Sequence, residues 1–141
     1  MKYLLDTNVV SEARRPQCHP SVRARLEASA DEDLCLSVVS IGELAYGIAR
    51  MSSGKRRREL EKWLVQTEQL FADRLLNIDR HIAQLWGEIS AKATARGQTL
   101  NAADGLIAAT AIRHGLHLMT RNLKDFEATG VMLINPWEGD Q

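Results

Sequence analysis

The sequence predicts an α/β fold in which helices cover both faces of a mostly parallel β-sheet. Short apolar runs alternate along the chain with amphipathic stretches of helical length. These runs lack regular polar alternation, which is typical of strands that are buried on both faces. The chain has 141 residues, 45% of them hydrophobic, which is enough for a substantial core. We therefore predict a single domain over residues 1–141.

Five apolar runs are predicted to be the strands of this sheet. Each is four to six residues long, and all but the last two are separated from the next by at least one helix. They comprise residues 2–6, 34–39, 75–78, 117–120 and 131–135. Strands of this length that are joined through helices predict parallel pairing, because a crossover helix returns the chain to the same edge of the sheet.

Helices fill the intervals between the strands, and capping residues mark where most of them begin. Pro20 stands at the first position of the second helix, and Ser40 precedes Glu43 with the spacing of a capping box. Asp79 and Asn101 are the predicted caps of the last two helices. The predicted helices cover residues 7–14, 20–29, 41–51, 55–71, 81–96 and 102–115. In the helix over 55–71, the residues expected to face inward are Leu60, Trp63, Leu64 and Leu70.

Composition limits the classes of function. The chain carries 18 basic and 18 acidic residues, so it lacks the basic excess that is typical of a dedicated nucleic-acid binder. If four acids belong to a metal site, 18 basic residues face 14 acidic ones, which leaves nucleic acid open as a partner. With two cysteines and no apolar run long enough to span a membrane, a cytoplasmic protein without membrane attachment is expected.

Four acidic residues occupy positions at which ligands bind in folds of this class, namely the carboxyl ends of the strands. Asp6 ends the first strand, and Glu43 lies one turn into the helix after the second. Asp104 lies in the first turn of an alanine-rich helix, and Asp125 follows the fourth strand. Each acid alone has an ordinary explanation: a helix dipole for Glu43 and Asp104, an Asx turn for Asp6, and a solvated loop for Asp125.

Taken together, the four acids predict a divalent metal. Two carboxylates ~4 Å apart repel each other by ~4 kcal/mol at an effective dielectric constant of ~20, so such a cluster binds either protons or a cation. Ligands that are all oxygen favour Mg²⁺ or Mn²⁺, which complete their coordination with water and substrate phosphate. That chemistry suits the hydrolysis of phosphodiesters. Thr120, Asn122 and Asn8 are placed to add hydrogen bonds near the site.

Four sequence motifs occur in an order and at a spacing that match a known family. They are LLDTN, the glutamate in SIGELAYG, NAADGLIAATA and TRNLKDF. With these motifs the chain resembles the PIN domain, and more closely the toxins of VapBC-type toxin–antitoxin modules, including the FitB-like branch. The resemblance extends over essentially the whole chain, from DTNVVSE to the closing NPW.

The resemblance implies a three-layer α/β/α sandwich and a Mg²⁺-dependent endoribonuclease, with Mn²⁺ as a possible substitute, that is neutralised by a VapB-like antitoxin. It also implies a homodimer that assembles into a larger toxin–antitoxin complex, which binds operator DNA through the antitoxin. Carried over by position, the metal-site acids and their supporting polar groups are Asp6, Glu43, Asp104, Asp125, Thr120 and Asn122. The fourth acidic position varies among relatives, so direct ligation or action through water are both open for Asp125. Gly105, where many relatives have alanine, is expected to be harmless.

Two other functions are compatible with the same residues. A phosphotransfer domain that forms an aspartyl-phosphate would also use an acid such as Asp6, but it needs a lysine directly after a late strand. Lys124 lies within TRNLKDF instead. A non-catalytic regulator that acts through a DNA-binding partner would keep its whole effect after Asp6→Asn, whereas the nuclease would lose it.

Several basic and aromatic residues have two interpretations each. The run at residues 55–58 is either a solvated helix start or a rim that contacts phosphate. Further candidates for that rim are Arg50, Arg113, Arg121 and Lys124. Trp63 and Trp86 stand among leucines at helical spacing and are predicted to be core or interface residues.

Overall fold

A computed structural model describes residues 1–139 and contains one five-stranded sheet. The strands are β1 (Tyr3–Leu5), β2 (Leu34–Ser37), β3 (Leu75–Leu76), β4 (His117–Met119) and β5 (Leu133–Ile134). Their order in the sheet is β3-β2-β1-β4-β5, and every neighbouring pair is parallel. The sheet is thus entirely parallel, where the sequence predicted a mostly parallel one. The last two residues of the predicted domain, 140 and 141, lie outside the described residues.

Seven α-helices are described in residues 1–139. They are α1 (Thr7–Arg14), α2 (Pro20–Glu27), α3 (Val38–Ala49), α4 (Lys55–Leu70), α5 (Arg80–Ala95), α6 (Ala102–His114) and α7 (Leu123–Phe126). None of them is long and apolar enough to cross a membrane. Six correspond to predicted helices, and α7, a single turn after β4, was not predicted.

The core lies on both faces of the sheet, because successive side chains of a strand point to opposite faces. Tyr3 and Leu5 of β1 pack with Val9 of α1 in one cluster of buried side chains. Leu4, between them, packs with Ile107 of α6 in a second cluster. Helices therefore cover the sheet from both sides, and the predicted three-layer sandwich is confirmed.

Several predicted helix boundaries are confirmed by their capping contacts. Pro20 stands at the first position of α2. The side chain of Asp79 accepts a hydrogen bond from the Ile82 N–H at 2.8 Å, and the side chain of Asn101 caps α6. Gly115 ends α6 in the left-handed conformation, at φ 67°, which a glycine adopts without steric cost.

The predicted junction between the second strand and its helix is wrong. The strand ends at Ser37 rather than at residue 39, and Ser37 rather than Ser40 caps α3 by accepting a hydrogen bond from the Val39 N–H at 3.0 Å. The two valines that follow Ser37 have a high β propensity, but here they form the first turn of the helix. Ser40 is instead fully buried within α3.

Other differences occur at the ends of elements. The runs at 75–78 and 131–135 pair over only two residues each. Leu70, predicted to face inward, is 64% exposed, because α4 ends there and the next residue, Phe71, enters the core in its place.

Candidate active site

The carboxyl edge of the sheet gathers the four acids predicted from the sequence. Asp6 follows β1 directly, and Asp104 lies in the first turn of α6. Glu43 lies in α3, the helix that follows β2 in the chain, and Asp125 lies in α7, which follows β4. β1 pairs with both β2 and β4, so the segments that carry Asp6, Glu43 and Asp125 start from neighbouring strands, whereas α6 runs from its first turn at Asp104 towards β4. The charges of the other three acids all raise the pKa of Asp104, so the four are within electrostatic range of one another.

Asp6 is the most enclosed of the four, with 5% of its surface exposed. It caps α1, and its Oδ1 accepts a hydrogen bond from the Thr7 N–H at 2.9 Å. Its Oδ2 accepts from the Thr120 hydroxyl at 2.8 Å and from the Asn8 side-chain amide at 3.3 Å. Both carboxylate oxygens are therefore held in a defined orientation.

Burial is the main cause that raises the pKa of Asp6 above its ordinary value. The hydrogen bonds from Thr120 and Thr7 oppose this rise, and the negative charges of Glu43 and Asp125 add to it. A raised pKa means that the surroundings of a buried carboxylate stabilise its charged form less well than water does. The environment of Asp6 therefore favours either a proton or a cation.

Thr120 connects Asp6 to the segment after β4. It is fully buried, and besides donating to Asp6 its hydroxyl oxygen accepts from the Asn122 backbone N–H at 3.1 Å and from the Asn8 amide at 3.3 Å. Thr120 thus lies where the sequence predicted a supporting polar group. Asn122 takes part through its main chain, and its side chain is exposed at the start of α7.

We expect Thr120→Val to destabilise the protein by about 1–3 kcal/mol, because the buried Asp6 carboxylate and the Asn122 N–H each lose a partner. Thr120→Ser is the matched control, since it keeps the hydroxyl and removes only a methyl group. Urea unfolding of the three proteins at neutral pH measures the difference. Equal destabilisation by valine and serine would show that the methyl packing, and not the hydrogen bonds, accounts for the effect.

Glu43 is exposed but is held by a residue that the sequence analysis did not single out. Its Oε1 accepts a hydrogen bond from the Thr7 hydroxyl at 2.6 Å, and the Thr7 hydroxyl oxygen lies 2.9 Å from that of Ser40. Because Thr7 also binds Asp6 through its N–H, it connects two of the four acids. Its position directly after Asp6 was the available signal, and Ser40 was interpreted as a helix cap.

Asp104 has the strongest evidence of an unbalanced negative charge. Burial, followed by the charges of Asp6, Asp125 and Glu43, raises its pKa to about 6. None of the ion pairs described within residues 1–139 involves any of the four acids. Near neutral pH this carboxyl group therefore titrates easily and lacks a balancing basic side chain.

Two of the acids border a polar cleft of about 470 Å³. Its polar lining residues are Gln98, Thr99, Asn101, Asp104, Lys124 and Asp125. Asp125 is exposed at this cleft rather than enclosed like Asp6. The cleft gives a polar ligand direct access to the acids, with the ammonium group of Lys124 at its border.

The donor chemistry of the site fits a hard divalent cation, although the side chains are not arranged around one. No group of three or more His, Cys, Asp or Glu residues among residues 1–139 is placed to hold a metal ion. The four candidate groups are all carboxylates, and the two with raised pKa values, Asp6 and Asp104, are those that a cation would stabilise most.

Gly105, next to Asp104, has a steric role that the sequence did not reveal. A Cβ atom at this position would lie 2.7 Å from Cδ1 of Trp86 and 3.2 Å from Cδ2 of Leu100. The indole ring of Trp86 thus occupies the space that an alanine methyl group would need. The glycine therefore lets α5 pack closely against the turn that carries Asp104. An alanine would not be equivalent to glycine at this position.

We expect Gly105→Ala to destabilise the protein by about 1–3 kcal/mol, because the methyl group overpacks against the Trp86 ring. Gly87→Ala is the matched control: this glycine is also helical, and a Cβ there meets nothing within 4 Å. The control should stabilise by about 0.5–1 kcal/mol through the lower entropy of the unfolded chain. Thermal unfolding of both variants tests the opposite signs.

The fold and the four acids define a class of protein, an α/β domain with a carboxylate cluster at the carboxyl edge of a parallel sheet. The PIN domain family matches residues 3–131 of the chain. Toxin FitB of Neisseria gonorrhoeae is 42% identical over 135 residues, which cover 95% of this chain and 97% of that protein. The chain belongs to the PIN-domain family and, within it, to the VapC-type toxins.

Two further comparisons agree with this membership. VapC ribonuclease Y4jK of Sinorhizobium fredii is 38% identical over 136 residues, which cover 96% of this chain and 97% of that protein. The solved structure of FitAB bound to an IR36 DNA fragment superposes with a TM-score of 0.90 at 38% identity, over 99% of this chain and 98% of that one. The resemblance seen in the sequence motifs is therefore confirmed.

Proposed function

We propose that this protein is the ribonuclease toxin of a type II toxin–antitoxin module and that it hydrolyses RNA phosphodiester bonds at the carboxyl edge of its sheet. The observation that carries the proposal is the group of four acids at that edge, where burial, followed by the charges of the other three acids, raises the pKa of Asp104 to about 6. Its relatives support the same reaction, since one is a VapC ribonuclease and another is the toxin FitB.

The site would use Mg²⁺, with Mn²⁺ as a substitute. The residues that would hold the ion are Asp6, Glu43, Asp104 and Asp125. When bound, the ion supplies Lewis-acid activation of water and neutralises negative charge at the reacting phosphate.

The chain's own residues orient these acids. The Thr120 hydroxyl and the Asn8 amide fix the Asp6 carboxylate, and the Thr7 hydroxyl fixes one oxygen of Glu43. Burial and the charges of Asp6, Asp125 and Glu43 disfavour the ionised form of Asp104, so the ion would stabilise this carboxylate.

The cleft would bind the substrate. Lys124 borders it beside Asp104 and Asp125 and offers an ammonium group to an RNA phosphate. The backbone N–H of Asn122 is committed to Thr120, so the Asn122 side chain, which is exposed, is the part of this residue that would reach water or phosphate.

A cleavage assay tests the proposed function. Purified protein, freed of any antitoxin, is incubated with total RNA and with transfer RNA in Mg²⁺ or in EDTA, alongside the Asp104→Asn variant. We expect discrete cuts that require Mg²⁺ and are lost in the variant. Folded protein that cuts no RNA in Mg²⁺ or Mn²⁺ would instead favour the regulator that acts only through a DNA-binding partner.

We further propose a VapB-like antitoxin as partner, within a complex of toxin dimers that binds operator DNA through the antitoxin. The related FitAB structure contains DNA. In this protein a mainly apolar groove lies beside Glu43, between α1, α3 and α4, where it offers space for an amphipathic helix. Its lining includes Arg14, Leu44, Ile48, Met51, Leu60 and Trp63. Co-purification with the product of a short neighbouring gene, and its loss in a Met51→Asp variant that circular dichroism shows to be folded, tests this surface.

A further inference from the structure

The backbone of Arg121 lies beside Asn8 and Thr120, the two side chains that donate to Oδ2 of Asp6. Arg121 follows Thr120 directly, and its backbone N–H donates to the Asn8 side-chain oxygen at 3.5 Å. Its guanidinium carbon lies 5.2 Å from the centre of the Trp137 ring. Within residues 1–139, no ion pair is described for Arg121.

Trp137 is a fixed platform for this guanidinium group. It is partly buried and packs against the core cluster that contains Tyr3 and Leu5. Its backbone N–H donates to the Asn135 side-chain oxygen at 2.9 Å, and Pro136 before it is fully buried.

The platform also places the arginine at the edge of the sheet that carries the acids. The turn that holds Trp137 follows β5, whose last residue accepts a hydrogen bond from the Thr120 N–H at 3.0 Å. Arg121 and Trp137 thus both follow the carboxyl ends of strands.

A guanidinium group that stacks on an indole keeps its N–H groups available at its edge. Those groups match the geometry of a phosphate, to which arginine binds through two parallel hydrogen bonds. An RNA strand that approaches four carboxylates is repelled by them, so a cation that is held at the same edge of the sheet without being paired to an acid favours binding.

We propose that Arg121 binds a backbone phosphate of the RNA substrate and that Trp137 positions it for this contact. The inference rests on the proposed function, because it assigns a substrate contact to the same site. It treats Arg121 as a binding residue and Trp137 as a positioning residue that acts through Arg121.

RNA binding without cleavage tests the proposal. The probe is a fluorescein-labelled single-stranded oligoribonucleotide, titrated in Mg²⁺ with the full-length Asp104→Asn protein over a range of KCl concentrations. In this background Arg121→Gln should weaken binding about tenfold and reduce the slope of log K against log salt by about 0.7, the value for one phosphate contact of a single strand. Circular dichroism confirms that each variant is folded.

The matched control is Arg80→Gln, which removes one arginine charge from the same protein. Arg80 is exposed at the start of α5, about 20 Å along the helix axis from Ala93, which lines the cleft beside Asp104. It should leave both the affinity and the salt slope unchanged. An equal effect of the two arginine substitutions would reduce the role of Arg121 to its contribution to the total charge and overturn the proposal.

Trp137→Leu separates positioning from direct contact. It keeps the charge of Arg121, so binding should weaken about two- to fivefold with an unchanged salt slope. Combined with Arg121→Gln it should add nothing further, because the two residues act as a unit. Additive effects would mean that Trp137 contacts the RNA by itself, and this would overturn its assigned role.

The same titration distinguishes failure of the inference from failure of the proposed function. If the Asp104→Asn protein does not bind RNA at all, the nuclease proposal fails and this one fails with it. If it binds RNA and Arg121→Gln binds as tightly, only the role of Arg121 is wrong. Loss of antitoxin binding in Arg121→Gln, with RNA binding intact, would assign the residue to the protein partner instead.

Discussion

Asp104→Asn is expected to slow RNA cleavage by at least about a hundredfold, since even groups that only support metal ligands contribute 10–100-fold. The same substitution should make the folded protein more stable at pH 8. Asparagine has the shape of aspartate but lacks the charge that burial and the neighbouring acids make unfavourable here. We expect a gain of about 1 kcal/mol after allowing for solvent screening of this half-buried group.

The pH dependence of that gain follows from the raised pKa of Asp104. Below the ordinary pKa of an aspartate, the group is protonated in both the folded and the unfolded state, and the variant has no advantage. As the pH rises towards about 6, the unfolded chain releases its proton first, so the wild-type protein loses stability relative to the variant. Above that pH the difference stays constant.

Initial cleavage rates in Mg²⁺ measure the first effect. Urea unfolding in EDTA at pH 4 and at pH 8 measures the second. Glu88→Gln, an exposed site on α5, is the control that should change neither the rate nor the stability. A fully active Asp104→Asn protein, or one that is less stable than wild type at pH 8, would remove Asp104 from the site.

Mg²⁺ is expected to stabilise the wild-type protein strongly at pH 8 and weakly at pH 5. Bound cation offsets the repulsion among the four acids, and the stabilisation reaches about 2.7 kcal/mol when free Mg²⁺ is 100 times its dissociation constant. At pH 5 most Asp104 carboxyl groups carry a proton, because their pKa is about 6, and protons then compete with the ion. Thermal unfolding with Mg²⁺ or EDTA at the two pH values measures the effect.

Potassium chloride at matched ionic strength is the control for general screening. The Asp104→Asn protein should respond much less to Mg²⁺ than the wild type does. A wild-type midpoint that does not move with Mg²⁺ or Mn²⁺ at pH 8 would contradict the metal proposal, whatever the cleavage assay shows.

Features that depend on neighbouring residues in the chain were predictable. The strands were found from apolar runs, and Asp79, Asn101 and Gly115 end or begin helices as their chemistry demands. Where two local signals competed, the prediction was wrong: Ser37 and Ser40 both resemble caps, and packing against the sheet selects the first.

The positions of the four acids were predictable for a similar reason. An acid at the end of an apolar strand or at a helix start is visible in the sequence, and a parallel sheet brings such ends to one edge. Their partners were not visible. Asp6 and Thr120 are 114 positions apart, and Thr7 reaches Glu43 across 36 positions, so only the assembled sheet brings these oxygen atoms together.

The sequence by itself thus determined the fold class, the order of the elements other than α7, and the four candidate acids, because apolar periodicity, capping and strand ends are local properties. The tertiary structure alone decided which side chains hold those acids, that Trp86 excludes a methyl group at Gly105, and that Arg121 stacks on Trp137. The reason is physical: burial and pKa depend on distances between side chains, and packing sets those distances for residues that are far apart in the chain.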